Sequence, residues 1–120
     1  MKRSEAINLN VALSNQGLKV KNLSGANYFS LICLKKPLAK YLNEMAEDEQ
    51  TLLKDHGVVT QEDLSEKLKD KSFSEKWEAI HAKDFEVKEL NFIPLDEFKK
   101  FTDEVEFSVG AILAEYLLKE

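Results

Sequence analysis

The apolar residues between residues 26 and 56 recur at the spacing of an amphipathic helix. One large apolar side chain falls at every seventh position, and three more widen the same stripe: Leu31, Leu38, Met45 and Leu52, with Leu34, Tyr41 and Leu42. Charged residues occupy the opposite face, and Gly57 follows where a helix would stop. We therefore predict a long helix from Ala26 to His56, packed within its own domain rather than in a coiled coil.

Pro37 lies inside this predicted helix and limits how the helix can continue. A proline has no N–H to donate to the carbonyl of Cys33, four residues earlier, and its ring crowds the preceding turn. Two interpretations stay open. Either one helix is kinked at Pro37, or there are two helices with Pro37 in the first turn of the second.

Two shorter helices are predicted on either side of the long one. Residues 4–16 alternate like a strand, but Ser4 as N-cap and Gly17 as a stop favour a helix. Thr60 and Asp63 resemble a capping box, which predicts a helix that runs to Lys69.

The second half of the chain predicts three more helical segments. Ser74 caps a helix that carries Trp77, Ile80 and His81, and residues 96–101 form a short helical turn. Ser108 caps the last helix. Its apolar residues follow the i, i+3, i+4 spacing of a buried face: Val109, Ile112, Leu113, Tyr116 and Leu117.

Two other segments have the period of two that is typical of strands. Phe85 and Val87 alternate with charged residues before the phase shifts near Glu89, and residues 104–107 repeat the pattern. The predicted fold class is therefore α+β. It is mostly helical, with one long amphipathic helix and a C-terminal helix packed on a small two- or three-stranded sheet. The length of 120 residues suits a single domain spanning residues 1–120.

Charge is distributed unevenly along the chain, whose net charge is −5. Residues 1–40 hold seven cations and one anion, whereas residues 41–120 hold ten cations and twenty-one anions. Arg3 is the only arginine, the residue best suited to bidentate recognition of bases and phosphates, so direct nucleic-acid binding is disfavoured. No apolar run reaches the ~20 residues of a membrane span. The single cysteine, Cys33, is interpreted as a buried structural thiol in a cytoplasmic protein.

No residue pattern points to catalysis, to a cofactor or to a metal. Four scattered glycines cannot form a phosphate-binding loop, and His56 and His81 lack a partner at the spacing of a helical metal site. The grouped carboxylates are interpreted as solvated surface. The prediction is a protein that is not an enzyme and that has no catalytic, cofactor-binding or metal-binding residues.

The order of these segments resembles a family of small uncharacterised proteins encoded in bacteriophage and prophage genomes. The resemblance rests on the Asn-rich opening helix, the long helix that closes with Leu-Leu-Lys-Asp-His-Gly at residues 52–57, the charged middle, and the Ser-capped apolar helix at the C-terminus. The family usually has an aromatic residue in place of His56, and Pro37 is a further departure. The resemblance implies a phage-derived protein that works through protein contacts, and it assigns no role to any residue.

These observations predict a non-enzymatic protein-interaction module of phage or prophage origin, serving as an assembly or accessory factor. The alternative is an acidic regulator, a decoy that binds a host nucleic-acid-binding protein through residues 41–120. Apolar residues beyond a single buried stripe form the candidate interaction surface: Tyr28, Phe29 and Ile32, with Tyr116, Leu117 and Leu118. Either the small sheet covers this surplus or a second copy does, which would make the chain a homodimer.

Overall fold

The computed structural model describes residues 1–120 and consists of helices joined by connecting segments without strands. Six α-helices follow one another along the chain: α1 (Arg3–Leu13), α2 (Gly25–Asp55), α3 (Gln61–Lys67), α4 (Lys71–His81), α5 (Leu95–Phe101) and α6 (Phe107–Leu117). A single 3₁₀ turn, Val20–Asn22, lies between α1 and α2. Each helix predicted from the sequence is confirmed, with its ends shifted by a few residues.

Helix α2 is one continuous helix of 31 residues that passes through Pro37. Five residues of the predicted stripe are buried: Leu31, Leu34, Leu38, Met45 and Leu52. The other two, Tyr41 and Leu42, are half-buried. It ends at the C-cap His56, and Gly57 follows with φ +64°, the left-handed conformation that favours glycine. A helix of this length is about 46 Å long, and it accounts for most of the longest dimension of the molecule, 52 Å.

The main core lies at the N-terminal half of α2, where α1, α5 and α6 surround it. Helix α1 packs on both α2 and α6, and the segment between α4 and α5 adds further aromatic side chains. Fifteen buried residues form this core: Ala6, Leu9, Ala12, Leu13, Leu31, Leu34, Leu38, Phe85, Phe92, Ile93, Phe98, Phe101, Leu113, Tyr116 and Leu117. The apolar face predicted for α6 is confirmed, since its three buried residues are Leu113, Tyr116 and Leu117.

The C-terminal half of α2 extends beyond this core and carries α4 on its side. Met45 and Leu52 of α2 and Phe73 of α4 are buried there, outside the main core. The radius of gyration is 17.7 Å, whereas a compact domain of this length has a value of about 14 Å. The molecule is therefore elongated, because α2 projects from the core as an arm that α4 covers on one side.

The predicted small sheet is wrong, and the α+β fold class is wrong with it. The structure contains no strand, and its single β-bridge joins Ile93 to Leu118. Residues 83–90 form no ladder because no second strand runs beside them, and a sheet needs at least two paired strands. The alternation at residues 104–107 belongs instead to the turn that leads into α6. The chain is all-helical.

Of the four helix N-caps predicted from the sequence, one is observed and three are not. Thr60 caps α3, and Asp63 accepts a hydrogen bond from the N–H of Thr60 in return, so the predicted capping box is confirmed. The serines predicted as caps at positions 4, 74 and 108 instead lie within the first turns of their helices. The observed N-caps are Lys2, Asp70 and Glu106.

Candidate functional site

An apolar groove runs between the N-terminal half of α2 and the segment of residues 85–89, and it is the candidate functional site. Its volume is about 590 Å³. The wall formed by α2 consists of Phe29, Ser30, Ile32, Cys33, Leu34, Lys36 and Pro37. The other wall consists of the five consecutive residues from Phe85 to Glu89.

The α2 wall exposes apolar side chains. Phe29 is 67% exposed and Tyr28 beside it is 44% exposed, whereas Ile32 is half-buried. Cys33 is also exposed, so the predicted buried thiol is wrong. Cys33 lies two residues from Leu31 and therefore off the stripe that faces the core, which is the geometric reason for its exposure.

A carboxylate of α5 holds the start of this wall in place. The hydroxyl of Ser24 accepts a hydrogen bond from the N–H of Asn27, which caps α2. Glu97 accepts two further hydrogen bonds at the same helix end, from the N–H of Ser24 at 2.5 Å and from the side-chain amide of Asn27 at 3.1 Å. A negative charge at a helix N-terminus also interacts favourably with the helix dipole. The α2 wall is thus tied to the core by α5.

The second wall is attached to the core at one of its ends. Phe85 is buried; its N–H donates to the carbonyl of Met1 at 2.7 Å, and its carbonyl accepts from the amino group of Met1 at 3.0 Å. Its ring packs against Tyr41, with ring centroids 5.3 Å apart. The hydroxyl of Tyr41 donates to the carbonyl of Lys83, and burial, followed by the charge of Asp84, raises the pKa of Tyr41.

Beyond Phe85 the same wall leaves its backbone groups without partners. Residues 86–90 take part in no backbone hydrogen bond, and no side chain of the chain bonds to their backbone. Burial alternates along the segment, because Glu86 and Lys88 are exposed whereas Phe85 is buried and Val87 is half-buried. The chain then bends at Lys88. Free backbone donors and acceptors therefore border an apolar groove.

The candidate interaction residues named from the sequence lie in two different places. Phe29 and Ile32 line the groove, and Tyr28 is exposed next to Phe29. Tyr116 and Leu117 are buried in the core, and Leu118 is half-buried against it, so these three do not extend the exposed surface. The Tyr116 hydroxyl donates to Glu5, and burial, with the charges of Glu115 and Glu5, raises the pKa of Tyr116.

One further polar cluster joins the arm to α1. Oε1 of Glu49 lies 2.7 Å from the guanidinium of Arg3 and 2.7 Å from Nε2 of His81, so a single carboxylate oxygen contacts both. Trp77 packs edge-on against His81, at 4.6 Å between ring centroids. The cluster links α1, α2 and α4. Sequence reasoning missed it because Arg3, Glu49 and His81 are far apart in the chain.

The groove residues 85–89 were also missed, because their alternation predicts a paired strand rather than an unpaired one.

No group of three His, Cys, Asp or Glu side chains is arranged to hold a metal ion. None of the helices combines the length and the apolar composition that crossing a lipid bilayer requires.

Comparison of the chain with protein-family models, with curated proteins and with solved structures gave no significant match. The resemblance to phage and prophage proteins therefore stays a prediction from the order of the segments.

Proposed function

We propose that this chain is a non-enzymatic protein-interaction module that docks its partner in the groove between α2 and residues 85–89. The observation that carries the proposal is the exposure of Phe29, 67%, at the border of an apolar groove. Aromatic side chains, phenylalanine among them, are enriched at the centres of protein–protein interfaces.

The composition of the groove supports a protein partner. Its centre is apolar, and its border carries charges of both signs: Lys36, Glu86, Lys88 and Glu89. An apolar centre within a polar rim is the common anatomy of a protein interface. The unpaired backbone of residues 86–90 adds hydrogen-bonding groups that another polypeptide can satisfy.

The cellular setting is part of the same proposal. We place the module in the cytoplasm, as an assembly or accessory factor of phage or prophage origin. Genome context is the direct check: neighbouring genes for virion head or tail proteins would support this setting, whereas a metabolic operon would contradict it.

The acidic-decoy alternative has less support. Lysines pair with nearby carboxylates, as in Lys40–Glu44 of α2, Lys71–Glu75 of α4 and Lys69–Glu66 at the end of α3, whereas a nucleic-acid mimic needs a continuous anionic stripe. A pull-down of basic host proteins at low and moderate salt tests the alternative, because charge-driven binding weakens as salt rises.

Site-specific photocrosslinking tests the proposed docking surface in living cells of the source organism. A benzophenone amino acid replaces Phe29 at the groove, and the matched control replaces Phe107, which is 92% exposed and outside the groove. We expect a discrete protein adduct from position 29 and none from position 107. Adding Cys33→Glu, at an exposed groove position, should abolish the adduct.

Equal adducts from both positions, or none from position 29, would contradict the proposal. The mass of an adduct separates two kinds of partner. Twice the mass of the chain indicates a second copy, and any other mass indicates a different protein.

A further inference from the structure

The free backbone edge at residues 86–88 is suited to pairing with itself. In an extended segment, successive residues direct their N–H and C=O groups to opposite edges. Phe85 uses both of its groups on the edge that holds Met1. With extended geometry from Phe85 to Lys88, the groups of Glu86 and Lys88 face the other edge, and no backbone group of the chain pairs with them.

A two-fold axis at Val87 would match these groups in register. In an antiparallel pair centred on Val87, Glu86 of one copy lies opposite Lys88 of the other. On the far side of the axis, Lys88 of the first copy lies opposite Glu86 of the second. Because the backbone groups of Glu86 and Lys88 both face the partner, these residues form hydrogen-bonded pairs, in which two opposed residues exchange both N–H···O bonds. Two such pairs give four backbone hydrogen bonds, and the bend at Lys88 limits the ladder to these three residues of each copy.

The side chains are complementary in the same register. Glu86 and Lys88 are both exposed, and neither has an ion-pair partner within its own chain. The two-fold pairing brings them together twice as directly opposed residues of opposite charge, an arrangement that stabilises antiparallel strands. A parallel or shifted register would lose this match.

We infer that the partner in the groove is a second copy of this chain, joined by antiparallel pairing of residues 86–88 across a two-fold axis. This inference rests on the proposed function and names its partner. Residues 86–88 form part of one wall of the groove, so a second chain paired with them lies at the groove. The unpaired backbone N–H and C=O groups of residues 86–88 in one copy thereby form hydrogen bonds with those of the other copy.

Charge exchange at the two positions tests the register. Glu86→Lys places lysine opposite Lys88 of the other copy, and Lys88→Glu places glutamate opposite Glu86. We expect each single change to raise the dimer dissociation constant about tenfold, because two attractive pairs become repulsive. The double change Glu86→Lys with Lys88→Glu should restore the original value, and an equimolar mixture of the two single variants should form a heterodimer.

Sedimentation velocity over a wide concentration range measures these constants. The control exchanges charges at Glu47 and Lys76, which are exposed, lie inside α2 and α4 away from the groove and have no ion-pair partner. All four positions are exposed, so circular dichroism should show the same helicity for every variant. A monomer at all concentrations, or a dimer that is indifferent to the exchanges at residues 86 and 88, overturns the inference. In both cases, a position-29 adduct with a different protein would leave the proposed function standing.

Discussion

The side-chain amide of Asn91 donates a hydrogen bond to the carbonyl of Leu118, over 2.9 Å, and so closes the C-terminal end of α6. The same amide donates to the carbonyl of Glu115 at 3.0 Å, and the backbone N–H of Asn91 donates to Tyr116 at 2.8 Å. Asn91 has φ +56°, the only positive φ among the non-glycine residues, and asparagine tolerates this conformation better than most side chains. One residue thus satisfies three carbonyls that a helix end leaves unpaired.

Replacing Asn91 should destabilise the fold although its side chain is exposed. We expect Asn91→Ala to lower the free energy of unfolding by about 2 kcal/mol, because it removes two hydrogen bonds and places a Cβ-bearing residue without an amide at positive φ. Asn91→Gly should cost less, since glycine adopts this φ without strain.

Urea denaturation of the unmutated chain, Asn91→Ala and Asn91→Gly measures the free energies of unfolding. The difference between the two variants separates the cost of strain at positive φ from the cost of the lost hydrogen bonds. Asn43→Ala serves as the control, because Asn43 is an exposed asparagine of α2 that makes no side-chain hydrogen bond. Equal stability of Asn91→Ala and the unmutated chain would contradict this account of the α6 end.

Glu97 should contribute to stability through its charge as well as through its hydrogen bonds. Glu97→Gln keeps the side-chain shape but removes the negative charge at the N-terminus of α2, so we expect a loss of about 1 kcal/mol in the free energy of unfolding. The effect should shrink at high salt, since the side chain is only partly buried. Asp96→Asn, at the exposed neighbouring residue, is the matched control, and an equal loss there would rule out a specific role for Glu97.

The raised pKa values of Tyr116 and Tyr41 predict a loss of stability in alkali. Burial raises the pKa of Tyr116 and, in the same direction, that of Tyr41. The neutral phenol is therefore favoured in the folded chain. Its contribution is fully present below the unfolded pKa of about 10 and is lost as the pH rises through the folded pKa.

Denaturation curves from neutral pH to above the folded pKa check this prediction. We expect the stability of Tyr116→Phe to decline less steeply with pH than that of the unmutated chain, because phenylalanine has no proton to lose. The exposed Tyr28 supplies the control variant Tyr28→Phe. Parallel curves for Tyr116→Phe and the unmutated chain would show that Tyr116 does not couple to folding.

The sequence was sufficient for the helices, because their signals are local. The stripe from Leu31 to Leu52 specified α2 and its buried face, Thr60 and Asp63 specified the start of α3, and Gly57 specified a helix end. Each of these signals depends on residues within a few turns of one another. The spacing of the C-terminal apolar residues likewise specified the face of α6 that is buried.

The tertiary structure decided how the remaining segments are used. Alternation from Phe85 to Val87 is compatible with a strand, yet a strand needs a neighbour, and none of this chain runs beside residues 86–90. The start of α2 at Ser24 is held by Glu97, which is 73 residues away along the chain. The hydrogen bonds of Asn91 depend on α6, 24 to 27 residues away. Contacts between distant residues form only when the whole chain packs, so no local pattern encodes the groove between α2 and residues 85–89.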